Sequence, residues 1–339
     1  MQGFINVITA AGRWADAGLG ALDEVLDRLR TRSLRDGPVA LFLLAPALGV
    51  LGVFGMLPLG YALYMSLFGG RHGRGAYVGL ANFVEALTSP AFWKSFLVTV
   101  YYAAGTIPVT MAVSFAVAYA LFRVVRGRGL LRTVYFLPYV TSAVAVAMVW
   151  RAILNPRFGL ANALLEGAGL PPLQWLLEPR GVLHVLTGGY VPVQVGPSLA
   201  LCCVILFEIW HASGFMVVIF LAGLTAIPRE LEDAARIDGA GAGQVIRNVT
   251  LPLLSPTIFF LAIVSVVKSF QAFNSFYALT GDGRGPADST QNLTVYIYSN
   301  FYEYQRWGYG AAVATLLCAA IVALTVLQWR FVGRRVHYE

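Results

Sequence analysis

Residues 198–280 read SLALCCVILFEIWHASGFMVVIFLAGLTAIPRELEDAARIDGAGAGQVIRNVTLPLLSPTIFFLAIVSVVKSFQAFNSFYALT. Two long apolar runs, 198–225 and 256–280, flank the charged segment 227–256. A helix needs about 20 apolar residues to cross the hydrocarbon core of a bilayer, and both runs are long enough. The stretch therefore predicts two membrane-spanning helices joined by a short charged connection.

The composition of the whole chain also indicates a membrane protein. Of the 339 residues, 58% are hydrophobic and 12% are charged, and the mean hydropathy is +0.69. A soluble domain has about 25% charged residues, because its surface needs polar cover. The net charge of +7 lies in short stretches between apolar runs, as in cytoplasmic loops of membrane proteins. We therefore expect contact with membrane lipid and no nucleic-acid partner.

Six apolar runs are long enough to span a bilayer. Because unpaired backbone groups are costly in lipid, helices are the expected form, and the runs lack the short alternating segments of a transmembrane barrel. The predicted fold is all-α: a polytopic membrane protein with six transmembrane helices and a cytoplasmic helix-turn-helix. The predicted spans are 38–68, 95–122, 133–154, 198–225, 256–280 and 309–329.

The distribution of basic residues predicts the orientation. With the N-terminus in the cytoplasm, 15 of the 24 Lys and Arg residues fall in cytoplasmic segments, which is the bias typical of membrane proteins. Both termini are therefore expected in the cytoplasm.

Two segments outside the spans have distinct compositions. Residues 1–37 form a predicted cytoplasmic amphipathic segment, which precedes a transmembrane domain over 38–339. Residues 155–197 form the longest external loop, and its part 181–197 is apolar but interrupted by Gly and Pro. We interpret 181–197 as an external cap or re-entrant segment rather than a seventh span.

The charged segment 227–256 predicts two short helices joined by a turn. Pro228 can open a helix, and the acids after it oppose the helix dipole in the first turn. Small Ala234 and Ala235 allow another protein to approach closely. Asp238-Gly239 favours a sharp turn, so we expect one helix over 229–238 and a second over about 242–250 that ends before Pro252.

This segment resembles the coupling loop of ABC importer permeases, which has a Glu-Ala-Ala motif followed by a Gly and a Leu-Pro. Asp233-Ala234-Ala235 stands where the family has Glu-Ala-Ala, Asp238-Gly239-Ala240 follows at the family spacing, and Leu251-Pro252 closes the loop. Asp233 replaces the family's Glu, so either Asp233 or the neighbouring Glu232 can be the docking acid. The resemblance assigns to the coupling loop Glu232, Asp233, Ala234, Ala235, Arg236, Asp238, Gly239, Leu251 and Pro252.

Other stretches resemble the sugar and glycerol-phosphate (maltose-type) branch of this family. They are YVGLANFVEALTSPAFWKSF (77–96), RTVYFLPYVTSAVAVAMVWRAILNPRFGLANALL (132–165) and NSFYALTGDGRGP (274–286). The resemblance covers roughly residues 38–339, whereas 1–37 and 181–197 are less typical.

The resemblance implies a bacterial-type inner-membrane importer with several partners. These would be a second homologous permease subunit, two cytoplasmic ATPase subunits that bind ATP and Mg, and an external solute-binding protein. The chain itself lacks a Gly-x-x-x-x-Gly-Lys-Ser/Thr phosphate loop, so we expect no catalytic residue, metal or cofactor in it.

Polar residues in the fifth run are candidates for the solute path, because polar groups in a membrane usually face a bundle interior or cavity. They are Lys268, Gln271, Asn274 and Tyr277. The amides suit a carbohydrate or polyol, but hydrogen bonds between packed helices explain them equally well. Lys268 has three interpretations: an ion pair with Glu208, contact with an anionic solute such as glycerol phosphate, or snorkelling to the interface.

Two other classes of function remain as alternatives to a permease. A membrane-embedded transferase would need paired acids or a His/Asp cluster within the runs, and only Glu208, His211 and Lys268 are available for it. A secondary transporter would show an internal repeat, which the sequence does not display convincingly. Co-purification with an ATPase would separate the permease from both.

Overall fold

The computed structural model describes residues 37–71, 75–123, 127–193, 195–331 and 333. Within these ranges the regular structure is helical, and strand pairing is limited to the isolated bridges Phe68–Tyr77 and Gly181–Ser198. The predicted all-α class is confirmed. The expected amphipathic segment 1–37 lies outside the described residues, apart from Gly37.

Sixteen α-helices are named here in chain order. Three π-helical turns, Gly52–Met56, Ile246–Thr250 and Ser299–Glu303, continue or connect them. The helices are α1 Gly37–Leu51, α2 Leu57–Met65, α3 Ala81–Thr88, α4 Pro90–Arg123, α5 Arg128–Val140, α6 Ala143–Ile153, α7 Leu160–Gly167, α8 Val182–Leu186, α9 Leu199–Ala226, α10 Arg229–Ile237, α11 Ala242–Val245, α12 Leu251–Leu253, α13 Ser255–Phe270, α14 Asn274–Thr280, α15 Leu293–Tyr298 and α16 Trp307–Phe331.

The chain divides into two compact units, one ending at Tyr61 and the other beginning at Ala62. In the first unit, the apolar helix beginning at α1 exposes large side chains such as Phe42 and Phe54, at 79% and 77%. Such a helix suits a lipid environment, where apolar side chains need no protein cover. The second unit contains α3 to α16.

Among the described residues, four helical runs are long and apolar enough to cross a membrane: Ala40–Met65, Pro90–Arg123, Leu199–Ala226 and Trp307–Phe331. Two bent pairs raise the number to six if each pair crosses as one broken span. The pairs are Gly129–Val140 with Ala143–Ile153, bent by 92°, and Ala242–Leu253 with Ser255–Phe270, bent by 68°. The count of six therefore stays a prediction.

The third predicted span, 133–154, is not one straight helix. Its helix ends at Thr141, which is extended, and restarts at Ala143. The Thr141 hydroxyl donates to the Pro138 carbonyl at 2.7 Å, so a carbonyl freed by the break keeps a partner.

Helices α4 and α9 form the centre of the second unit. Tyr102 of α4 and Phe207 of α9 are buried together with Phe276 of α14, while Leu121 of α4 packs with Leu224 of α9 towards their other ends. Helix α5 lies directly against α9: a Cβ at Gly214 would lie 2.5 Å from the Tyr135 carbonyl oxygen. Small residues permit such close helix packing in membranes.

Segment 155–197 contains only short helices within its described residues. Asn162 fixes its fold, since its amide nitrogen donates to the Pro156 and Leu173 carbonyls and its oxygen accepts from the Trp175 indole at 2.7 Å. The segment returns to the helical body where Glu178 and Arg180 carbonyls accept from the first residues of α9. None of these described helices is long enough to be a seventh span, and whether 181–197 is an external cap or a re-entrant segment stays a prediction.

Candidate coupling helix and solute path

Helix α10 occupies the first part of the predicted helix-turn-helix. It spans Arg229–Ile237, with Glu230 and Glu232 in the first turn and Arg236 in the last, as the helix dipole favours. At its end the Ala240 N–H donates to Ala235 O and the Gly239 N–H donates to Arg236 O, which is a Schellman motif. Gly239 has a φ of +86°, so the sharp turn predicted at Asp238-Gly239 is present.

One face of α10 is exposed and mixes apolar with small residues. Leu231 and Ile237 are 45% and 87% exposed, and Ala234 is also exposed, whereas Ala235 is half-buried. Exposed apolar side chains on a short helix are typical of a docking surface. Of the predicted docking residues in α10, Asp233 and Ala234 therefore lie on a free surface of the described chain.

The two acids that the sequence could not separate have different roles in the fold. The Glu232 side chain is 8% exposed, and its Oε2 accepts from Arg123 Nη2 and from Arg236 Nη2, each at 3.0 Å. The Asp233 side chain is 65% exposed and accepts from Arg236 Nη1 at 2.9 Å. Asp233 is thus the acid available to a partner, and Glu232 faces the helical body.

The return part of the loop differs from the prediction. The helix after the turn does not end before Pro252, because the π-helical turn Ile246–Thr250 carries it into α12. The Leu251 N–H bonds to Ile246 O within that turn, and a π-turn leaves room for a proline ring that has no N–H to donate. Leu254 then buries its side chain beside Leu224 of α9.

The fifth predicted span breaks within the candidate solute path. Helix α13 ends at Phe270, Gln271 is its C-cap, and α14 begins at Asn274. Gln271 and Asn274 therefore lie on opposite sides of a break, and the expectation of one continuous helix over 256–280 is wrong. Its four candidate residues, Lys268, Gln271, Asn274 and Tyr277, are all exposed along this break.

Side chains from the following segment stabilise the break. Asn292 Nδ2 donates to the Ala272 carbonyl at 2.5 Å, and Thr294 Oγ1 donates to the Phe270 carbonyl at 3.1 Å. These carbonyls have lost their helical donors, and buried carbonyls need a partner. Asn292 is fully buried and also caps α15 through the Val295 N–H. The break is therefore stabilised by a specific side chain of the fold.

Lys268 does not form the ion pair with Glu208 that the sequence allowed. Its Nζ lies 3.3 Å from the Tyr139 hydroxyl and 4.5 Å from the centre of the Phe215 ring. Glu208 Oε2 instead accepts from Ser275 Oγ at 2.6 Å. Among the described ion pairs none includes Lys268, so its charge is held by aromatic faces.

The residues considered for a transferase do not form a catalytic cluster. Glu208 and Lys268 line one small cavity of about 40 Å³, but each has the separate partners described above. The His211 ring stacks on Phe207 at 5.6 Å, and its buried Nε2 has no hydrogen-bond partner. Among the described residues, Glu208, His211 and Lys268 share no hydrogen bond or ion pair with one another, so they do not form the joint acid–base group that a transferase would need.

The aromatic group beside the break extends beyond the predicted Tyr277 to Tyr298 and Tyr302, which the sequence reasoning missed. Phe273 stacks on Tyr277 at 5.3 Å, and Tyr298 contacts both rings at 5.1 and 5.8 Å. Tyr302, which is 71% exposed, extends the group at 4.8 Å from Tyr298. The aromatic-rich sequence TVYIYSNFYEY, residues 294–304, was the signal that could have indicated it.

The helical architecture, with runs long enough to cross a membrane, is that of an all-α membrane protein, and the family comparison gives its class. The model of the family "Binding-protein-dependent transport system inner membrane component" matches residues 109–338. The chain belongs to this family and is a permease component of an ABC import system, as the resemblance in its coupling loop implied.

Similar proteins cover nearly the whole chain. The sn-glycerol-3-phosphate transport system permease protein UgpA of Agrobacterium fabrum is 33% identical over 302 residues, covering 87% of this chain and 95% of that protein. The trehalose/maltose transport system permease protein MalF of Thermococcus litoralis is 28% identical, covering 88% and 95%. A bacterial ABC transporter chain involved in alginate import has the same fold, with a TM-score of 0.69 at 20% identity over 88% of this chain and 96% of that chain.

Proposed function

We propose that this permease forms half of a translocation path for a carbohydrate or related polyol. A second homologous permease supplies the other half, an external binding protein delivers the solute, and two cytoplasmic ATPase subunits bind ATP and Mg. Helix α10 docks on one of these ATPases. The observation that carries the proposal is the exposure of Leu231 and Ile237 on α10. In the chain, α10 follows one apolar helical segment and precedes another.

The coupling role of α10 is tested by adding bulk to its docking face. Ala235 is half-buried beside exposed Ala234, so Ala235→Trp should block close approach of the ATPase. We expect loss of ATPase co-purification and of solute-stimulated ATP hydrolysis. Leu164→Trp, at an exposed position of α7, is the matched control and should change neither. Normal ATPase retention and turnover in Ala235→Trp would contradict docking through α10.

The carbohydrate assignment rests on the chemistry at the break. Amides of Gln271 and Asn274 can hydrogen-bond hydroxyl groups, and the exposed Tyr277 ring offers an aromatic face. Gln271→Ala and Asn274→Ala should each reduce transport while assembly and basal ATP hydrolysis persist. Full transport in both variants would place the path elsewhere.

A phosphorylated polyol is the second candidate, and Lys268 favours it. Its charge has no carboxylate partner among the described residues, and a membrane-embedded charge without a pair usually marks function. The similarity to a glycerol-3-phosphate permease points the same way. Thermal stabilisation of the cognate binding protein by sugars or by glycerol phosphates separates the candidates. Lys268→Met should then impair transport of an anionic solute but not of a neutral one.

A further inference from the structure

Helix α10 is attached to the helical body mainly through a charge. Glu232 is its one buried residue, whereas its large apolar residues, Leu231 and Ile237, are exposed. A helix anchored by apolar packing would bury those residues instead. Apart from the chain itself, the carboxylate of Glu232 is therefore the main contact through which a displacement of α10 can reach the rest of the subunit.

The partner of Glu232 is the last residue of the long helix α4. Arg123 Nη2 donates to Glu232 Oε2 at 3.0 Å and to the Tyr119 hydroxyl at 2.6 Å. The guanidinium carbon also lies 5.0 Å from the centre of the Tyr119 ring. Two contacts to Tyr119 orient the guanidinium towards Glu232, while 40% of the Arg123 side chain stays exposed.

The far part of α4 reaches the cavity beside the break. Tyr102, Thr106 and Thr110 of α4 line the cavity that Glu208 and Lys268 also line. Helix α4 is continuous over 34 residues, with Pro108 inside it between Tyr102 and Arg123, and a continuous helix can carry a displacement from one end to the other. The other route from α10, through α11 and α12, is bent by 68° before α13.

We propose that Arg123 and Glu232 form a positioning pair that transmits the displacement of α10 to α4, and so to the solute path. Asp233 faces the ATPase and Glu232 faces the permease, which gives each acid one role. The proposal rests on the docking of α10 stated under the proposed function. Arg236 supports the pair, since it shares the Glu232 oxygen and also bonds Asp233.

The test is a charge exchange in the assembled importer. Arg123→Gln and Glu232→Gln should each lower transport per ATP hydrolysed by at least about tenfold, because either change removes the charge-assisted bond that joins α10 to α4. ATPase retention and basal ATP hydrolysis should stay normal. The double exchange Arg123→Glu with Glu232→Arg should recover much of the coupling, and Arg123→Lys, which keeps the charge, should lose less than either neutral variant.

The control pair is Glu85 and Arg306, whose side chains are bonded at 2.6 Å and join distant segments. Its exchange should leave coupling unchanged. Normal coupling in both neutral variants with the ATPase retained would overturn the proposal, as would a double exchange that recovers nothing. Failure of the unaltered permease to retain an ATPase would instead contradict the proposed function. If a neutral variant does not assemble, Arg123→Lys is compared with Glu85→Arg. A coupling loss in Arg123→Lys while Glu85→Arg couples normally supports the pair; normal coupling in Arg123→Lys, or an equal loss in both, overturns it.

Discussion

At the scale of single residues, α10 separates two acids that are neighbours in the chain. Consecutive residues point about 100° apart around a helix, so Glu232 can be buried while Asp233 stays exposed. The buried carboxylate is tolerated because two guanidinium groups donate to it. The exposed carboxylate of Asp233 can bind a partner, because its present ion pair with Arg236 is weakened by solvent.

The turn after α10 depends on one glycine. Gly239 has a φ of +86°, and a Cβ there would meet no atom within 4 Å, so the constraint is backbone conformation and not space. Gly239→Val should cost about 1–2 kcal/mol or more in this conformation and reduce solute-stimulated ATP hydrolysis. Gly239→Asn should be milder, because Asn tolerates positive φ. Gly243→Ala, in open space within α11, is the control; equal activity of the Val and Asn variants would contradict this account.

Asn292 is the residue on which the break at 271–273 depends. Replacing it with Ala leaves the Ala272 carbonyl and the Val295 N–H without their side-chain partners. Loss of buried hydrogen bonds of this kind costs about 1–3 kcal/mol, so Asn292→Ala should lower the thermal midpoint of the purified subunit and reduce transport. Asn248→Ala, at an exposed position, should change neither. A wild-type midpoint and rate in Asn292→Ala would show that the break is stabilised in another way.

At the scale of elements, sequence reasoning located the helices better than their interruptions. Hydropathy depends on composition within a window, so it found the apolar run 256–280 but gave no signal at Gln271-Ala272-Phe273, which contains neither Gly nor Pro. The break depends on Asn292, which lies 20 positions from the carbonyl that it binds. Likewise, Pro252 predicted the end of a helix, but the helix continues through the π-helical turn before it into α12. Local rules fail where a distant partner or an unusual turn satisfies the backbone.

The base of the 155–197 segment contains a pH-sensitive ion pair. The guanidinium of Arg180 bonds both carboxylate oxygens of Glu178 at 2.6–2.7 Å and lowers the pKa of that carboxyl from its usual value. A carboxyl whose pKa is lowered by folding stabilises the fold above its unfolded pKa, and this stability is lost as the pH falls through the lower folded value.

Hydrogen exchange of residues 155–197 measured against pH tests this pair. We expect protection to be constant near neutral pH and to fall once the pH drops below the ordinary carboxyl range. Glu178→Gln should lower protection at neutral pH and remove that acid-dependent step. Glu166→Gln is the control, because Glu166 is exposed and no ion pair among the described residues includes it. An unchanged acid step in Glu178→Gln would assign the sensitivity to another group.

At the scale of the whole molecule, the predicted family and helical class were within reach of the sequence because both rest on extended patterns. The apolar runs have bilayer length, and the coupling-loop motif extends from Asp233 through Gly239 to Pro252. Each pattern involves many residues, so a single exception does not hide it. The solute path was less predictable. Its aromatic group brings Tyr298 against Phe273 and Tyr277, and only the folded chain places those segments together.

Orientation is the remaining whole-molecule prediction, and two glycines make it testable. Gly167 and Gly241 both lack positive φ, and a Cβ at either would meet nothing closer than 3.8 Å, so each accepts a cysteine without strain. The native Cys202, Cys203 and Cys318 are first replaced by Ser or Ala.

The distribution of the basic residues predicts that both termini lie in the cytoplasm, since a charge bias towards cytoplasmic segments sets orientation during insertion. A membrane-impermeant thiol reagent added to intact cells, with the outer membrane permeabilised, should therefore label Gly167→Cys and not Gly241→Cys. Inside-out vesicles should reverse the pattern and serve as the accessibility control. Labelling of Gly241→Cys from outside would place α10 away from the cytoplasm, where no ATPase could dock, and the coupling proposal would fail with the orientation.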